Sequence, residues 1–163
     1  MKRPRKWRIS GVFRLLLGLI NVSRTEALCA RPSSRSYNMS RIRSKDTKPE
    51  EKVRKYLFAH GFRYRKNVKN LPGSPDVVLP KYKTVIFVQG CFWHMHDCGR
   101  FQWPATNQDY WEPKIRRNVE RDQLNREQLL ALGWKVLTVW ECELKKKNID
   151  ETMSRILQEI RNE

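Results

Sequence analysis

The sequence predicts one mixed α/β domain, in which a sheet is flanked by helices. Helical and strand-like patterns follow one another in the order αβββαβα, which is typical of a mixed sheet with helices packed against it. The chain has 163 residues, enough for one ordinary hydrophobic core but not for two comfortable ones. We therefore expect a single folded domain.

The first half of that domain supplies one helix and three strands. Thr47-Lys48-Pro49-Glu50 resembles a capping box, and apolar residues at helical spacing follow until Gly61, which predicts the first helix. Alternation over residues 62–66 and β-branched runs over 76–79 and 84–88 predict three strands in succession. A Gly/Pro/Asn-rich loop separates the first two strands.

The second half supplies two helices and one strand. A helix is predicted over residues 114–132 and is ended by Gly133. The apolar segment 134–140 predicts a further strand, and residues 150–160 predict a last short helix.

Residues 1–38 differ from the rest. A basic start, a short apolar run over residues 15–20 and a Ser/Arg/Pro-rich stretch superficially imitate a secretory signal, although Arg14 interrupts the apolar run. We expect a basic leader, either disordered or produced by an upstream start before a natural Met39. A true export signal is the alternative. The folded domain is then residues 39–163, with no segment long enough for a transmembrane helix.

The charge points to a polyanionic partner. Thirty-four Lys and Arg against 17 Asp and Glu give a net charge of +17. Nucleic acid is favoured over an anionic membrane surface. Four cysteines are too few and too irregularly spaced for a disulfide scaffold, so a reducing, cytoplasmic location is expected.

A cysteine-rich segment predicts structural zinc. Cys91 and Cys98 bracket His94 and His96, and Cys142 lies far downstream. Three thiolates and one imidazole complete a tetrahedral zinc site. From spacing alone either histidine could be the fourth ligand, and the other would be free for acid–base chemistry at neutral pH.

Asp76 is a candidate magnesium ligand. It follows a Pro/Gly-rich loop and precedes an apolar strand, where a carboxylate can hold Mg²⁺ against a phosphate. On this evidence alone, an ordinary turn aspartate is the commoner explanation.

Aromatic residues are concentrated around the cysteines. They are Phe92, Trp93, Phe101, Trp103, Tyr110 and Trp111. In a basic chain such side chains can wedge between base steps, or they can line a core or zinc site. Trp134 and Trp140, on a predicted strand, are expected in the core.

Six motifs in a fixed order resemble one known family. They are PGSPD (residues 72–76), VIF (85–87), GCFWH (90–94), NVERD (118–122), GW (133–134) and VWEC (139–142). This set is similar to the very short patch repair endonucleases, the bacterial T:G mismatch nickases. The resemblance runs from about Met39 to Leu144.

The resemblance implies a restriction-endonuclease-like core and a Mg²⁺-dependent nick 5′ to the mismatched thymine. Matching positions imply that Asp76 is catalytic and binds Mg²⁺ together with the Val88 carbonyl, that His94 is the catalytic histidine, and that Glu50 is the catalytic acidic residue of the first helix. They also imply zinc ligands at Cys91, His96, Cys98 and Cys142, and DNA-intercalating aromatics at Phe92, Trp93 and Trp111.

Two positions depart from the best-known family pattern. Val88 replaces a threonine, which leaves a main-chain carbonyl ligand intact. Gln89 replaces a second active-site histidine, and glutamine cannot exchange a proton at neutral pH. Either His94 suffices or the reaction is slower.

We expect the substrate to be double-stranded DNA with a T:G mismatch, acted on by a monomer in the bacterial nucleoid. Mismatch-repair proteins and a cytosine methyltransferase system are the expected biological partners. The alternatives are a non-catalytic, zinc-stabilised DNA-binding protein and a nuclease for another DNA lesion or junction.

Overall fold

The computed structural model describes residues 45–162, which hold three helices and three strands. In chain order they are α1 (Lys48–Ala59), β1 (Val77–Leu79), β2 (Thr84–Gln89), α2 (Gln108–Ala131), β3 (Lys135–Trp140) and α3 (Ile149–Arg161), with a 3₁₀ turn, Pro80–Tyr82, between β1 and β2. The expected leader, residues 1–38, and the expected domain start at residue 39 lie outside the described range.

The sheet is mixed, as the sequence predicts, and β2 is its central strand. β1 pairs antiparallel with β2, with Val77 opposite Ile86. β3 pairs parallel with β2, with Ile86 opposite Leu137 and Gln89 opposite Trp140. The beginning of β1 and the ends of β2 and β3 therefore meet at one edge of the sheet.

Helices cover both faces of this sheet. One face packs against α1 and α3, where Leu57, Met153 and Ile156 are fully buried with Leu79. The other face has a smaller cluster of Val78, Val85, Leu129 and Val136, so α2 lies on that side. Trp134 is a partly buried member of this smaller cluster, which agrees with its expected place near the core.

The predicted strand over residues 62–66 is wrong. Only Arg65 pairs with Val78, through two backbone hydrogen bonds of 2.8 Å. Phe62 enters the core, but Asn67 has a φ of 50°, so the chain leaves extended geometry just after the bridge. The segment forms one bridge and no ladder.

Helix α2 begins at Gln108 rather than at the predicted residue 114. The predicted bounds left out residues 108–113, which include a proline that lacks an N–H donor. In the structure Pro113 lies inside the helix, after Asn107 has started it in a left-handed conformation. Pro113 is the sixth residue of the helix, so its missing N–H removes the one hydrogen bond that would reach the Asp109 carbonyl, and the helix continues through it.

In residues 45–162, no helix is both long enough and apolar enough to cross a membrane.

Core packing can be tested on α1. Leu57 is fully buried, whereas Leu132 is 56% exposed. We expect Leu57→Ala to lower the free energy of unfolding by about 2–5 kcal/mol, because it leaves a cavity. Leu132→Ala should change it by less than about 0.5 kcal/mol. Urea unfolding measures both, and equal effects would contradict the described packing.

Candidate active site and metal cluster

A cleft of about 860 Å³ opens at the sheet edge where β1 begins and β2 ends. The predicted site residues Asp76, Glu50, Val88, His94 and Trp93 all line it. Its opposite wall is α2, which contributes polar side chains at Asn118, Asp122, Asn125 and Arg126. Residues far apart in sequence therefore meet in one polar cavity.

Asp76 enters the cleft directly before β1. Its Oδ2 accepts a hydrogen bond from the Val88 backbone N–H at 2.8 Å, which fixes the carboxylate against β2. Burial raises the pKa of Asp76 to about 6, the Val88 hydrogen bond lowers it, and the nearby Glu50 charge raises it. This is a carboxylate whose charge needs a compensating cation.

The loop before Asp76 is held against α2. Gly73 has a φ of 71°, and a Cβ atom there would lie 2.9 Å from the Asn125 side-chain nitrogen. Glycine is therefore needed for both the backbone conformation and the close approach. This contact fixes how the loop leads into Asp76.

Glu50 forms the predicted capping box at the start of α1. Its backbone N–H donates to Thr47 Oγ1 at 3.5 Å, and its carboxylate accepts hydrogen bonds from Thr47 Oγ1 at 2.7 Å and from the Asp46 N–H at 3.0 Å. Arg54 donates to the same carboxylate at 2.7 Å. Both carboxylate oxygens of Glu50 thus accept hydrogen bonds within the protein, although the side chain borders the cleft.

His94 is paired with Asp122 of α2. Its Nδ1 lies in hydrogen-bond contact with Asp122 Oδ2, and the two side chains are 21% and 27% exposed. A carboxylate that accepts from Nδ1–H fixes the tautomer, so Nε2 is left as an acceptor. No role for Asp122 was predicted from the sequence, although it lies one helical turn after Asn118, another cleft residue.

Four potential metal ligands are grouped outside the cleft. The ligand atoms of Cys91, His96, Cys98 and Cys142 all lie within 4.8 Å of one another. The parallel pairing of Gln89 with Trp140 explains part of this, because Cys91 and Cys142 each lie two residues beyond the paired ends. His94 is not in the group, so the structure separates the two histidines.

The cluster is suited to a soft divalent cation. Burial and the neighbouring thiols of Cys91 and Cys98 raise the pKa of Cys142 to about 12. Three adjacent thiolates repel one another unless a cation lies between them. A Cys₃His set is the usual donor set for structural zinc.

Trp140 connects the cluster with the cleft. Its ring is stacked on His96, with centroids 3.9 Å apart and an interplanar angle of 1°. The expectation that Trp140 lies in the core is wrong, because it is only half-buried and borders the cleft.

The three predicted DNA-contacting aromatics form one group. Ring centroids are 5.2 Å apart for Phe92–Trp93, 5.8 Å for Phe92–Trp111 and 5.9 Å for Trp93–Trp111. Phe92 and Trp93 are half-buried, but Trp111 is only 6% exposed. Trp93 is therefore the more accessible of the two tryptophans. Lys114 Nζ lies near both rings, 5.7 Å from the Trp93 centroid and 5.4 Å from the Trp111 centroid.

The family model for the DNA mismatch endonuclease Vsr matches residues 29–100. The chain is 43% identical over 129 residues to the DNA mismatch endonuclease Vsr of Escherichia coli, which covers 78% of this chain and 83% of the relative. The chain belongs to the Vsr family.

Two further relatives are nicking enzymes by name. Type II nicking enzyme V.NmeAIP of Neisseria meningitidis is 53% identical over 131 residues, 80% of this chain and 94% of the relative. Type II nicking enzyme V.XorIIP of Xanthomonas oryzae is 50% identical over 113 residues, 69% and 83% of the two chains. Similarity thus extends over nearly the whole length of these relatives.

The Asp76 environment gives a pH-dependent prediction. Because the folded-state pKa of Asp76, about 6, lies above the ordinary aspartate value of 3.8, the stability that Asp76 contributes is fully present below pH 3.8. It is lost as pH rises through about 6. In magnesium-free buffer, Asp76→Asn should therefore gain melting temperature relative to the native chain as pH rises from about 4.5 to about 7.5.

The exposed Glu120→Gln is the control for that experiment, since it makes a carboxyl-to-amide change on the outer part of α2. Its melting temperature should follow the native chain at every pH. A difference between Asp76→Asn and the native chain that is independent of pH would contradict the proposed environment of Asp76.

Proposed function

We propose that this Vsr family member nicks one DNA strand 5′ to the thymine of a T:G mismatch by Mg²⁺-dependent hydrolysis. Membership of the family supports a DNA-cleaving hydrolase. The observation that carries the finer proposal is the single cleft that brings Asp76 together with the His94–Asp122 pair. The mixed sheet is compatible with the restriction-endonuclease-like core that the sequence motifs imply.

Asp76 and the Val88 carbonyl are the proposed Mg²⁺ ligands. Asp76 Oδ2 is held by the Val88 N–H, so the carboxylate is fixed beside the β2 backbone. Hard oxygen donors of this kind fit Mg²⁺, and a half-buried carboxylate with a raised pKa favours a cation beside it. When bound, Mg²⁺ polarises the scissile phosphate and makes a water molecule more acidic.

His94 and Asp122 supply the proton transfer. With Nδ1 bonded to Asp122, the free Nε2 of His94 can take a proton from the attacking water, and Asp122 stabilises the imidazolium that results. Gln89 also borders the cleft, where its amide can orient a phosphate or water but cannot carry a proton. Glu50 contributes negative charge next to Asp76 rather than a free proton acceptor.

The Cys₃His cluster is proposed to hold structural zinc. Cys91, His96 and Cys98 come from the loop after β2, and Cys142 follows β3. A metal here would tie together the two loops that border the cleft. The Trp140 ring stacked on His96 limits the orientations of that imidazole.

Mismatch selection is proposed to come from the group of Phe92, Trp93 and Trp111. A T:G wobble pair is easier to unstack than a matched pair, and aromatic rings can replace some of the lost stacking. Trp93 borders the cleft and is accessible for this role. Trp111 is buried and packs against the rings of Phe92 and Trp93. The high positive charge supplies affinity that does not depend on sequence.

The biological setting follows from this proposal. Action as a monomer on DNA of the bacterial nucleoid, alongside mismatch-repair proteins and a cytosine methyltransferase, stays a prediction.

The proposed reaction predicts a specific pattern in nicking assays. The native chain should cut only the T strand of a T:G duplex, only with Mg²⁺, and should leave the matched T:A duplex intact. Asp76→Asn, His94→Ala and Asp122→Asn should each slow single-turnover nicking by about 100-fold or more, while DNA binding persists. The control is Glu120→Gln, which lies away from the cleft wall.

DNA binding without Mg²⁺-dependent nicking by the native chain would favour the non-catalytic alternative. Faster cutting of another mismatch or junction would change the substrate assignment. Unchanged nicking in Asp122→Asn would show that the His94–Asp122 pair is not part of the reaction.

The proposed zinc site predicts one zinc ion per purified, reduced chain. Cys142→Ser and His96→Ala should lose the metal and melt at a lower temperature, because structural zinc contributes folding free energy. His94→Ala should retain it. Elemental analysis and thermal melts measure both, and full zinc content in His96→Ala with loss in His94→Ala would reverse the assignment of the two histidines.

A further inference from the structure

Arg54 is a buried charge that the reaction described above does not use. Its side chain is only 7% exposed, and it lies on α1 one turn after Glu50. A buried guanidinium is costly unless its N–H groups are paired, so its partners indicate what it is for.

Its partners lie directly behind the cleft. Nη2 donates to Glu50 Oε2 at 2.7 Å and Nη1 to Asp46 Oδ1 at 2.5 Å. Nη2 and Nε also approach the backbone carbonyl oxygen of Asp76, at 3.3 Å and 3.4 Å. One planar group therefore contacts two carboxylates and the main chain of the proposed metal ligand.

Asp76 is thereby held at two points. The Val88 N–H fixes the carboxylate from the β2 side, and Arg54 fixes the carbonyl from the α1 side. Only the fixed fork of a guanidinium can reach all these acceptors together, because a lysine ammonium is a single point charge. The direction in which Asp76 faces the cleft thus depends on Arg54.

Arg54 also controls the local charge. The guanidinium pairs with the carboxylates of Asp46 and Glu50, and its charge lowers the pKa of Asp76. Lys66 Nζ lies 3.3 Å from Asp46 Oδ1 at the exposed side. On the cleft side, Glu50 and Asp76 share Arg54 as their common cationic neighbour. The arrangement keeps two acidic residues close together yet leaves negative charge for a divalent cation.

We propose that Arg54 is a positioning residue for Mg²⁺-dependent nicking, acting by fixing the Asp76 backbone and the Glu50 carboxylate behind the metal site. This inference rests on the proposed function of the cleft. A purely structural residue that only paired with Glu50 within α1 would affect stability but not the Mg²⁺ dependence of the reaction.

The test compares Arg54→Lys and Arg54→Gln with the control Lys55→Gln. Lys55 is the next residue on α1, 76% exposed and paired with Glu51, so this control removes a positive charge from the same helix away from the cleft. Single-turnover nicking of a T:G duplex is measured against Mg²⁺ concentration, at a temperature well below the melting point of each variant. Duplex affinity without Mg²⁺ and the melting temperature are measured in parallel.

Arg54→Lys should fold and bind the duplex, yet need about tenfold or more Mg²⁺ for half-maximal rate, since hydrogen bonds to charged groups change equilibria by such factors. Arg54→Gln should show a larger shift and a lower melting temperature. Lys55→Gln should match the native chain in every measurement.

Native Mg²⁺ dependence in Arg54→Lys would overturn the inference, whether or not Arg54→Gln folds. That result is distinguishable from failure of the proposed function, because in the latter case the native chain itself would not nick the T:G duplex with Mg²⁺.

Discussion

The pairing of β2 with both of its neighbours is the constraint on which both sites depend. Antiparallel pairing brings the start of β1 beside the end of β2, so that the Asp76 carboxylate accepts the Val88 N–H. In-register parallel pairing with β3 brings the chain after Gln89 beside the chain after Trp140. One strand therefore sets the position of the acidic cleft residue and of Cys91 and Cys142 in the Cys/His cluster.

The second constraint is that ionisable groups lie close together at both sites. Each of the two sites concentrates groups that repel one another when ionised: the Asp76 and Glu50 carboxylates that line the cleft, and the three thiols of the Cys/His cluster. Arg54 offsets the first, and a cation would offset the second. Such arrangements weaken the fold by themselves, and a bound metal ion that offset the repulsion would link folding to function.

Much of the fold and part of the site could be predicted from the sequence. Capping chemistry and periodicity locate α1, and β-branched runs locate β1 and β2, because these signals are local. These local signals do not predict the single bridge at Arg65 or the start of α2 at Gln108, since tertiary contacts override local preference. The roles of Asp122 and Arg54 could not be predicted, because a polar residue on a helix is usually exposed to solvent. Only the fold shows which face of each helix is covered.

The central claim is that a divalent cation binds at Asp76, and manganese binding measures it most directly. Mn²⁺ is titrated into the chain and into Asp76→Asn and Asp122→Asn, and free Mn²⁺ is followed by electron paramagnetic resonance. The account predicts one site in the native chain that is retained in Asp122→Asn and lost or strongly weakened in Asp76→Asn. Equal Mn²⁺ affinity in Asp76→Asn and the native chain would contradict it.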